Sequence, residues 1–244
     1  MTRAILMASG LGTRLRPLTE KTPKPLLPVC KTPMIETLID GLRKGGVKEI
    51  YVVVGYLKEA FRYLTEKYAG LALIENPDYL AVNNISSVYA AREVLRKGDA
   101  FICEADLYLR DAALVRDVPG YSCYYGKMVR GFSEDWVFAV DEDGRITRIG
   151  KGGTDCYNMV GISYFTAEDA RLLADAVESA YGTQGYEDLF WDEIADRELH
   201  RLHLRIRPVS EGQIYEIDTE EELRALEETL RKADARRERK GAAE

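Results

Sequence analysis

Apolar residues fall in short runs along the first hundred positions, and segments with helical periodicity separate these runs. The runs predict β-strands at residues 4–8, 50–54, 71–74 and 100–103. The periodic segments predict helices at residues 35–44, 58–67 and 86–96. Strands that alternate with helices in this way form βαβ units, in which the strands are parallel. This part of the chain therefore predicts an α/β fold with a mostly parallel central sheet.

The second half of the chain has a different pattern, in which strand-like segments follow one another. We predict strands at residues 121–128, 136–140, 146–149 and 159–165. The sequence Asp-Glu-Asp-Gly at residues 141–144 is typical of a hairpin turn. Two helices, at residues 167–181 and 186–196, and a strand at residues 202–206 are expected to follow. The pattern predicts a smaller β-rich part beside the parallel sheet.

The last segment predicts a helix that begins just after Asp218. Thr219 is the expected N-cap and Glu222 its capping-box partner. An apolar stripe on one face of this helix consists of Leu223, Leu226 and Leu230. Residues 236–244 are charged and lack apolar anchors, so we expect them to fray. No repeat or linker divides the chain, and residues 1–244 are expected to form a single domain.

Composition limits the classes of partner. With 46% hydrophobic and 31% charged residues, the chain of 244 residues can bury a substantial core. Its net charge of −7 argues against a nucleic-acid duplex or an anionic membrane as the main partner, since both need a broad basic face. No apolar run approaches the roughly 20 residues that span a bilayer, and the N-terminus does not resemble a signal peptide. We therefore expect a cytoplasmic protein.

Two other kinds of chemistry are disfavoured by residue usage. The four cysteines are far apart and include no CxxC pair, which favours reduced, buried thiols over a disulfide framework or a zinc site. Both histidines lie in one polar stretch, so a histidine-based catalytic triad has little material.

A glycine loop directly after the first strand is the first candidate binding site. Because Gly10 and Gly12 have no Cβ, backbone N–H groups in this loop can approach an anion closely. Leu15 stands where a dinucleotide fingerprint has its third glycine, and no Lys-Ser/Thr pair follows as a P-loop requires. Taken singly, each glycine could be a strand-exit turn and each nearby cation a surface charge; together they favour phosphate binding. The candidate residues for binding a triphosphate are Ala8, Gly10, Leu11, Gly12, Thr13, Arg14 and Lys24, with Arg16 as a further cation.

The loop resembles a known signature. Gly-Leu-Gly-Thr-Arg-Leu at residues 10–15, followed by Pro-Lys-Pro-Leu at residues 23–26, is similar to that of the sugar-phosphate nucleotidyltransferase superfamily. This resemblance implies a Rossmann-like three-layer nucleotidyltransferase fold, in which the loop holds the triphosphate and Lys24 contacts the phosphates.

Two pairs of acids provide candidate metal ligands. Glu104 and Asp106 follow an apolar strand, and open α/β sheets bind ligands at the carboxyl ends of their strands. Glu216 and Asp218 alternate on one face of an extended segment. Mg²⁺ commonly binds through one or two carboxylates together with substrate phosphates. Asp218 has an equal alternative role as the acid at a helix N-terminus. The superfamily resemblance implies that Asp106 and Asp218 bind the metal, with Glu216 beside them and Glu104 near the nucleotide.

A narrower resemblance extends over nearly the whole chain. The sequence is similar to bacterial CTP:phosphocholine cytidylyltransferases in the segments at residues 54–59, 83–87, 135–136, 188–192 and 214–218. This implies a nucleotide-binding half at residues 1–110, an acceptor-binding half at 111–218, and a C-terminal helix and tail at 219–244. It also implies that Asn84 and Ser87 contact the cytosine, although helix N-capping is an alternative role for either residue type.

Aromatic residues in the second half suggest how a cationic acceptor is bound. Trp136 and Trp191 both lie next to acidic residues, and a cation over an aromatic face gains roughly 0.5 to 2 kcal/mol. Core packing is the alternative role for aromatic rings, and it suits Phe190 and Trp191 in particular. The acceptor-binding candidates are Trp136, Phe190, Trp191, Asp192 and Glu216. Lys127 and Arg130 are further candidates for the acceptor phosphate, although surface charge is the favoured alternative for both.

The resulting hypothesis is transfer of CMP from CTP to phosphocholine. Arg14, Lys24, Asp106 and Asp218 are the candidate catalytic residues, with Mg²⁺ as cofactor. The acidic residues would serve the primary ammonium of 2-aminoethylphosphonate equally well, and related cytidylyltransferases accept that compound. A sugar-1-phosphate nucleotidyltransferase and a nucleotide-sensing regulatory subunit are further alternatives, but Lys24 together with both metal acids favours an enzyme.

Overall fold

The structure is a computed structural model that describes the backbone of residues 1–241 and the side chains of residues 1–233 and of Ala235. Within this part of the chain, the strands are β1 Arg3–Ala8, β2 Pro28–Val29, β3 Thr32–Pro33, β4 Glu49–Val54, β5 Leu71–Glu75, β6 Ala100–Glu104, β7 Leu107–Leu109, β8 Cys123–Val140, β9 Ile146–Phe165, β10 Arg205–Pro208 and β11 Ile214–Glu216. The α-helices are α1 Met34–Lys44, α2 Arg62–Lys67, α3 Ile85–Ala90, α4 Arg92–Leu95, α5 Ala113–Arg116, α6 Ala167–Ala180, α7 Trp191–Arg197 and α8 Glu220–Gly241.

A seven-stranded sheet forms the centre of the molecule, in the order β10-β8-β9-β6-β1-β4-β5. The strands β6, β1, β4 and β5 are parallel to one another, as their alternation with helices predicts. The strand β9 is antiparallel to both β6 and β8. The α/β fold with a mostly parallel centre and an added β-rich part is therefore confirmed.

Helices cover both faces of the sheet. Neighbouring residues of β1 point to opposite sides, because Leu6 packs in a cluster with Leu38 of α1 while Ile5 packs in a second cluster with Leu173 of α6. Alternation of this kind is the expected period of a strand that is buried on both faces. The result is a three-layer arrangement.

The β-rich part differs from the prediction in the length of its strands. The four predicted segments belong to two long strands, β8 with 18 residues and β9 with 20, which pair through several irregularities of register. The turn predicted at residues 141–144 does connect them. Register shifts bend a strand, and the long hairpin is therefore irregular where its residues line the cleft described below.

Several predicted helices are divided. Residues 58–61 form a 3-10 turn before α2, and the segment predicted as one helix at 86–96 consists of α3 and α4. A 3-10 turn at Tyr186–Asp188 precedes α7, and residues 189–190 are not helical. The strand predicted at 202–206 begins instead at Arg205, where pairing with β8 starts.

The C-terminal helix packs on the glycine-loop side of the molecule. Leu226 and Leu230 of α8 are buried in a third cluster that contains Leu15. The predicted capping box is confirmed: Glu222 N–H donates to Thr219 Oγ1 at 3.2 Å, and Thr219 N–H donates to Glu222 Oε2 at 2.8 Å. The backbone is helical as far as Gly241; the side chains of the predicted frayed segment, and residues 242–244 entirely, lie outside the described part. None of the described helices combines the length and apolar character needed to cross a membrane.

Candidate active site

A cleft of about 900 Å³ opens at the carboxyl ends of β1 and β6. Its walls are formed by the glycine loop, the turn around Lys24, the start of α3, the end of β11, the segment before α7 and the β8–β9 hairpin. This is the edge at which parallel α/β sheets bind their ligands. Among the predicted site residues, those that line the cleft are Ala8, Gly10, Gly12, Thr13, Arg14, Lys24, Asn84, Ser87, Glu104, Asp106, Trp136, Phe190, Asp192, Glu216 and Asp218.

Glycine is needed at the two loop positions for different structural reasons. Gly12 has a positive φ of 61°, and a Cβ there would lie 3.0 Å from the Cβ of Lys24. Thr19 fixes this turn by donating its hydroxyl to the carbonyl of Gly12 at 2.8 Å. At Gly10, no heavy atom lies within 4 Å of an added Cβ, so the missing side chain leaves open space in the cleft. Gly12 thus allows the loop to approach Lys24, and Gly10 leaves room for a ligand.

Lys24 joins two carboxylates that are distant in sequence. Its Nζ donates to Asp106 Oδ2 at 2.6 Å and to Asp218 Oδ1 at 2.7 Å. Arg14 Nη1 lies 2.8 Å from the other oxygen of Asp218. Burial lowers the pKa of Lys24, but the two carboxylates raise it by more, so the net pKa is above its ordinary value. The lysine therefore carries its full charge at neutral pH.

The same two carboxylates fit a divalent cation. Lys24 Nζ, which touches both of them, shows that a single positive charge can reach Asp106 and Asp218 together. Carboxylate oxygen is the ligand type that hard cations prefer, and one or two carboxylates plus phosphates commonly complete such a site. No group of three or more His, Cys, Asp or Glu residues that could hold a metal ion occurs in the described part of the chain. The donor set therefore suits a cation that arrives with substrate phosphates.

Acidic side chains continue along the cleft wall behind the Lys24 contacts. Burial raises the pKa of the Glu104 carboxyl group well above its ordinary value, and the negative charges of Asp106 and Glu216 raise it further. Asp192 is 3% exposed and accepts a hydrogen bond from the hydroxyl of Tyr124 at 3.1 Å. Burial raises the pKa of Asp192 to about 7. This wall has a surplus of carboxyl groups and suits a cationic ligand.

Two aromatic rings form the outer part of the cleft. The rings of Trp136 and Phe190 lie 5.2 Å apart between centroids, inclined at 57°. The ammonium of Lys151 stands 5.9 Å from the centroid of Trp136 and 5.6 Å from that of Phe190. Glu134 and Asp135 line the same region. The cleft thus combines cationic side chains, which suit phosphate groups, with a pair of aromatic rings and further carboxyl groups.

Comparison with known proteins gives the family. A nucleotidyl transferase family model matches residues 3–118. The chain is 53% identical over 226 residues to the 2-aminoethylphosphonate cytidylyltransferase of Lancefieldella rimae, which covers 93% of this chain and 92% of the relative. It is 34% identical to the choline-phosphate cytidylyltransferase of Streptococcus pneumoniae, over 94% of this chain and 98% of the relative. A solved structure of CTP:phosphocholine cytidylyltransferase from Streptococcus pneumoniae matches with a TM-score of 0.86 at 34% identity, over 94% of this chain and 99% of that one.

The chain belongs to the cytidylyltransferases of the nucleotidyltransferase superfamily. The predicted enzyme class is therefore confirmed. Nucleotidyltransferases of this kind generally use a divalent metal, in agreement with the paired carboxylates of the cleft. The roles of individual residues stay predictions.

In this cytidylyltransferase, the position of Trp191 differs from its predicted place in the acceptor site. Its ring is 3% exposed and stacks on Tyr124 at 5.7 Å, with Phe165 against its edge. It does not line the cleft, because the first turn of α7 directs it into the core. Core packing, the alternative considered for this residue, describes its position.

Asn84 lies on the cleft but is already engaged. Its Oδ1 accepts the backbone N–H of Trp191 at 3.0 Å, so it satisfies a donor in the first turn of α7 rather than of its own helix. Ser87 lies beside it, with its hydroxyl 3.4 Å from that of Ser9. The start of α7 is thus attached to the start of α3 across this part of the cleft.

The other predicted residues lie outside the cleft lining. Leu11 is half-buried between the two glycines, and Arg16 is exposed. On the hairpin, Lys127 lies 3.7 Å from Glu211 and Arg130 is exposed. Neither side chain is among the residues that line the cleft.

Several cleft residues were missed by sequence reasoning. Asn76 donates to the hydroxyls of Ser86 and Ser87 at 2.8 and 3.3 Å and so organises the floor near the first strand. Lys151 lies in a segment without a recognisable pattern, and no local signal in the sequence indicates that it faces Trp136. Only the pairing of β8 with β9 brings these two residues together.

Proposed function

We propose that this cytidylyltransferase transfers CMP from CTP to 2-aminoethylphosphonate. The observation that carries the proposal is the 53% identity to a relative named for that acceptor, against 34% to one named for choline phosphate. This supports the alternative acceptor over the phosphocholine that the sequence resemblance implied. The surplus of carboxyl groups in the cleft supports it as well, since a primary ammonium donates hydrogen bonds to carboxylates and a trimethylammonium does not.

The cationic end of the cleft is the proposed triphosphate site. Backbone N–H groups between Gly10 and Arg14 bind phosphate oxygens, and the space beside Gly10 admits them. Lys24 and Arg14 contribute positive charge at the same place. The hydroxyl of Ser87 and the amide of Asn84 are the proposed contacts of the cytosine.

The transfer step needs positioning more than acid–base chemistry. A phosphonate oxygen, already ionised near neutral pH, attacks the α-phosphorus of CTP and forms a new P–O bond. The bond from the α-phosphorus to the bridging oxygen breaks, and pyrophosphate leaves with the electron pair. Lys24 and Arg14 stabilise the charge that builds on the phosphoryl oxygens, which is the main source of acceleration in phosphoryl transfer.

Asp106 and Asp218 are the proposed ligands of Mg²⁺. When bound there, Mg²⁺ supplies Lewis-acid stabilisation of phosphate charge. The two aspartates also hold Lys24 in place, with distances of 2.6 and 2.7 Å from its ammonium. Charge-assisted hydrogen bonds of this kind fix the position of the ammonium, so Lys24 is preorganised for the nucleotide.

At the other end, the proposed ammonium site is carboxylate-lined. Glu134 and Asp135, which precede Trp136 in the chain, line the cleft together with Trp136 and Phe190. Three N–H donors of a primary ammonium can be satisfied by such oxygens. The acceptor then spans the cleft, with its phosphonate toward Lys24 and its ammonium toward these acids.

A substrate matrix tests the proposal. CTP, UTP, dTTP and GTP are each combined with 2-aminoethylphosphonate, phosphocholine and glucose-1-phosphate, and pyrophosphate release is measured. We expect the largest kcat/KM for CTP with 2-aminoethylphosphonate, about tenfold or more above phosphocholine. Ethylphosphonate, which keeps the phosphonate and lacks the ammonium, is the matched control acceptor and should be poor. A preference for phosphocholine or for the sugar phosphate would overturn the assigned acceptor.

A further inference from the structure

Lys151 occupies an unusual position at the acceptor end of the cleft. It lies on β9 directly opposite Trp136 of β8 in the strand ladder. Its ammonium is within 6 Å of the centroids of both Trp136 and Phe190, the range in which a cation is attracted by an aromatic face. Among the described residues it has no ion-pair partner, so these two rings are its contacts.

The backbone at Lys151 is fixed by a neighbouring arginine. Arg148 donates to the carbonyl of Lys151 at 2.6 Å and to that of Gly152 at 3.0 Å. Gly152 has a positive φ of 73°, which lets the chain turn at this point. The backbone of Lys151 therefore has a fixed position on the hairpin, and from this position its side chain reaches the two rings.

A lysine in this position changes what the ring pair can bind. A trimethylammonium has no N–H group, so aromatic faces are its main means of recognition. At this ring pair the faces already attract the ammonium of Lys151, and a quaternary ammonium would have to displace that ammonium to reach them. A primary ammonium can instead donate to the nearby carboxylates, and it does not need the faces.

We infer that Lys151 is a specificity-determining residue, which occupies the Trp136–Phe190 ring pair and excludes quaternary ammonium acceptors while admitting a primary ammonium. This inference rests on the proposed function of the same cleft. It adds the residue that selects between two acceptors with the same anionic group.

The test compares acceptor preference in three proteins: the parent, Lys151→Met and Lys127→Met. Methionine keeps the length of the side chain and removes its charge. Lys127 is on the same hairpin, faces Glu211 and lies outside the cleft, so it is the matched control. For each protein, kcat/KM is measured with CTP and either 2-aminoethylphosphonate or phosphocholine.

In Lys151→Met we expect the phosphocholine to 2-aminoethylphosphonate ratio of kcat/KM to rise about fivefold or more, since one cation–aromatic contact is regained. Lys127→Met should keep the parental ratio. An unchanged ratio in Lys151→Met would overturn the inference. So would an equal loss with both acceptors, because that result would assign Lys151 to the anionic group that they share.

A binding measurement without catalysis gives a second readout. Tetramethylammonium is titrated while tryptophan fluorescence is recorded, since Trp136 lines the cleft and Trp191 is buried. We expect a saturable change in Lys151→Met and none in the parent over the same concentrations. Equal responses of the two proteins would contradict the inference. The acceptor preference of the parent alone tests the proposed function, so the two can fail separately.

Discussion

At the scale of single residues, the surroundings of each ionisable side chain in the cleft determine its charge. Lys24 has two carboxylates within 2.7 Å, while Asp192 is buried with a tyrosine hydroxyl as its partner. The first arrangement raises the pKa of Lys24 and so keeps its ammonium charged. The second favours the neutral acid, because burial penalises the anion. The two carboxyl environments therefore predict different responses to substitution.

Asp106→Asn is expected to reduce turnover about a hundredfold or more, since it removes one negative charge from the site that positions Lys24 and the metal. An amide oxygen can still accept from Lys24, so the fold should be kept. The measurement is kcat at saturating CTP and Mg²⁺, with Asp143→Asn in the hairpin turn as control. Parental turnover in Asp106→Asn would show that this carboxylate has no catalytic role.

Asp192→Asn is expected to change the pH dependence of stability. The folded pKa of Asp192 is raised to about 7, whereas an unfolded aspartate titrates near 4. Folding therefore retains a proton between these values, and the contribution of Asp192 to stability falls as pH rises from about 4 to about 7. The amide oxygen of asparagine can still accept the hydrogen bond from the Tyr124 hydroxyl, and asparagine brings no charge into the buried site.

The variant should consequently be more stable than the parent at pH 8 by about 1 to 3 kcal/mol and similar to it at pH 4. Urea unfolding at several pH values measures this difference. A difference that does not vary with pH would mean that Asp192 is ionised in the folded protein throughout the range.

At the scale of elements, the start of α8 connects helix capping to the site. Glu222 Oε2 accepts the N–H groups of both Asp218 and Thr219 at 2.8 Å. Asp218 is therefore held by the same capping box that begins the helix. Its two roles considered from the sequence, helix acid and site ligand, are compatible in one geometry.

Thr219→Ala should lower the free energy of unfolding by about 1 kcal/mol, the usual cost of losing an N-cap side chain. Turnover should fall as well, because the hydroxyl of Thr219 holds the backbone of Glu222, and the carboxylate of Glu222 accepts the N–H of Asp218. Thr229→Ala in the same helix is the control: its hydroxyl bonds only to the carbonyl of Ala225, and alanine is the better helix former. Equal effects of the two substitutions on unfolding would contradict the cap assignment.

The sequence predicted correctly those strands and helix ends that depend only on neighbouring residues. Apolar runs identified β1, β4, β5 and β6, and the capping box identified the start of α8. The pattern did not show that β8 and β9 are continuous, because residues 129–135 are mostly exposed and are held in the strand by pairing with β9. For the same reason Lys151 was missed, since its position opposite Trp136 is set by register between strands. Trp191 was misassigned because acidic neighbours in sequence do not determine on which side of a helix a ring lies.

At the scale of the whole molecule, the third apolar cluster joins the two ends of the described chain. Leu226 and Leu230 of α8 pack with Leu15, which follows the glycine loop, and with Ile217, which lies beside Asp218. Packing against a common cluster keeps the loop and the late aspartate in a fixed relation. The C-terminal helix thus supports the site without lining most of it.

Leu226→Ala is expected to destabilise the protein by about 2 to 4 kcal/mol, the range for removing a buried leucine side chain. Leu226 is 5% exposed, whereas Leu80 is 70% exposed and gives the matched control. Leu80→Ala should change stability by less than about 0.5 kcal/mol. Chemical unfolding measures both, and a cost for Leu226→Ala as small as that for Leu80→Ala would mean that α8 is not anchored by this cluster.

The sequence distances in the Lys24 contacts have a consequence for synthesis of the protein. Asp106 is 82 residues from Lys24 and Asp218 is 194 residues from it. A nascent chain that has reached only residue 217 contains the whole glycine loop and all strands of the central sheet, but not the second carboxylate. Loop closure over such a distance is a late event in folding. With Asp218 in its proposed role as a metal ligand, nucleotidyl transfer would begin only after this aspartate has been synthesised and has packed against Lys24, and so later than synthesis of the central sheet.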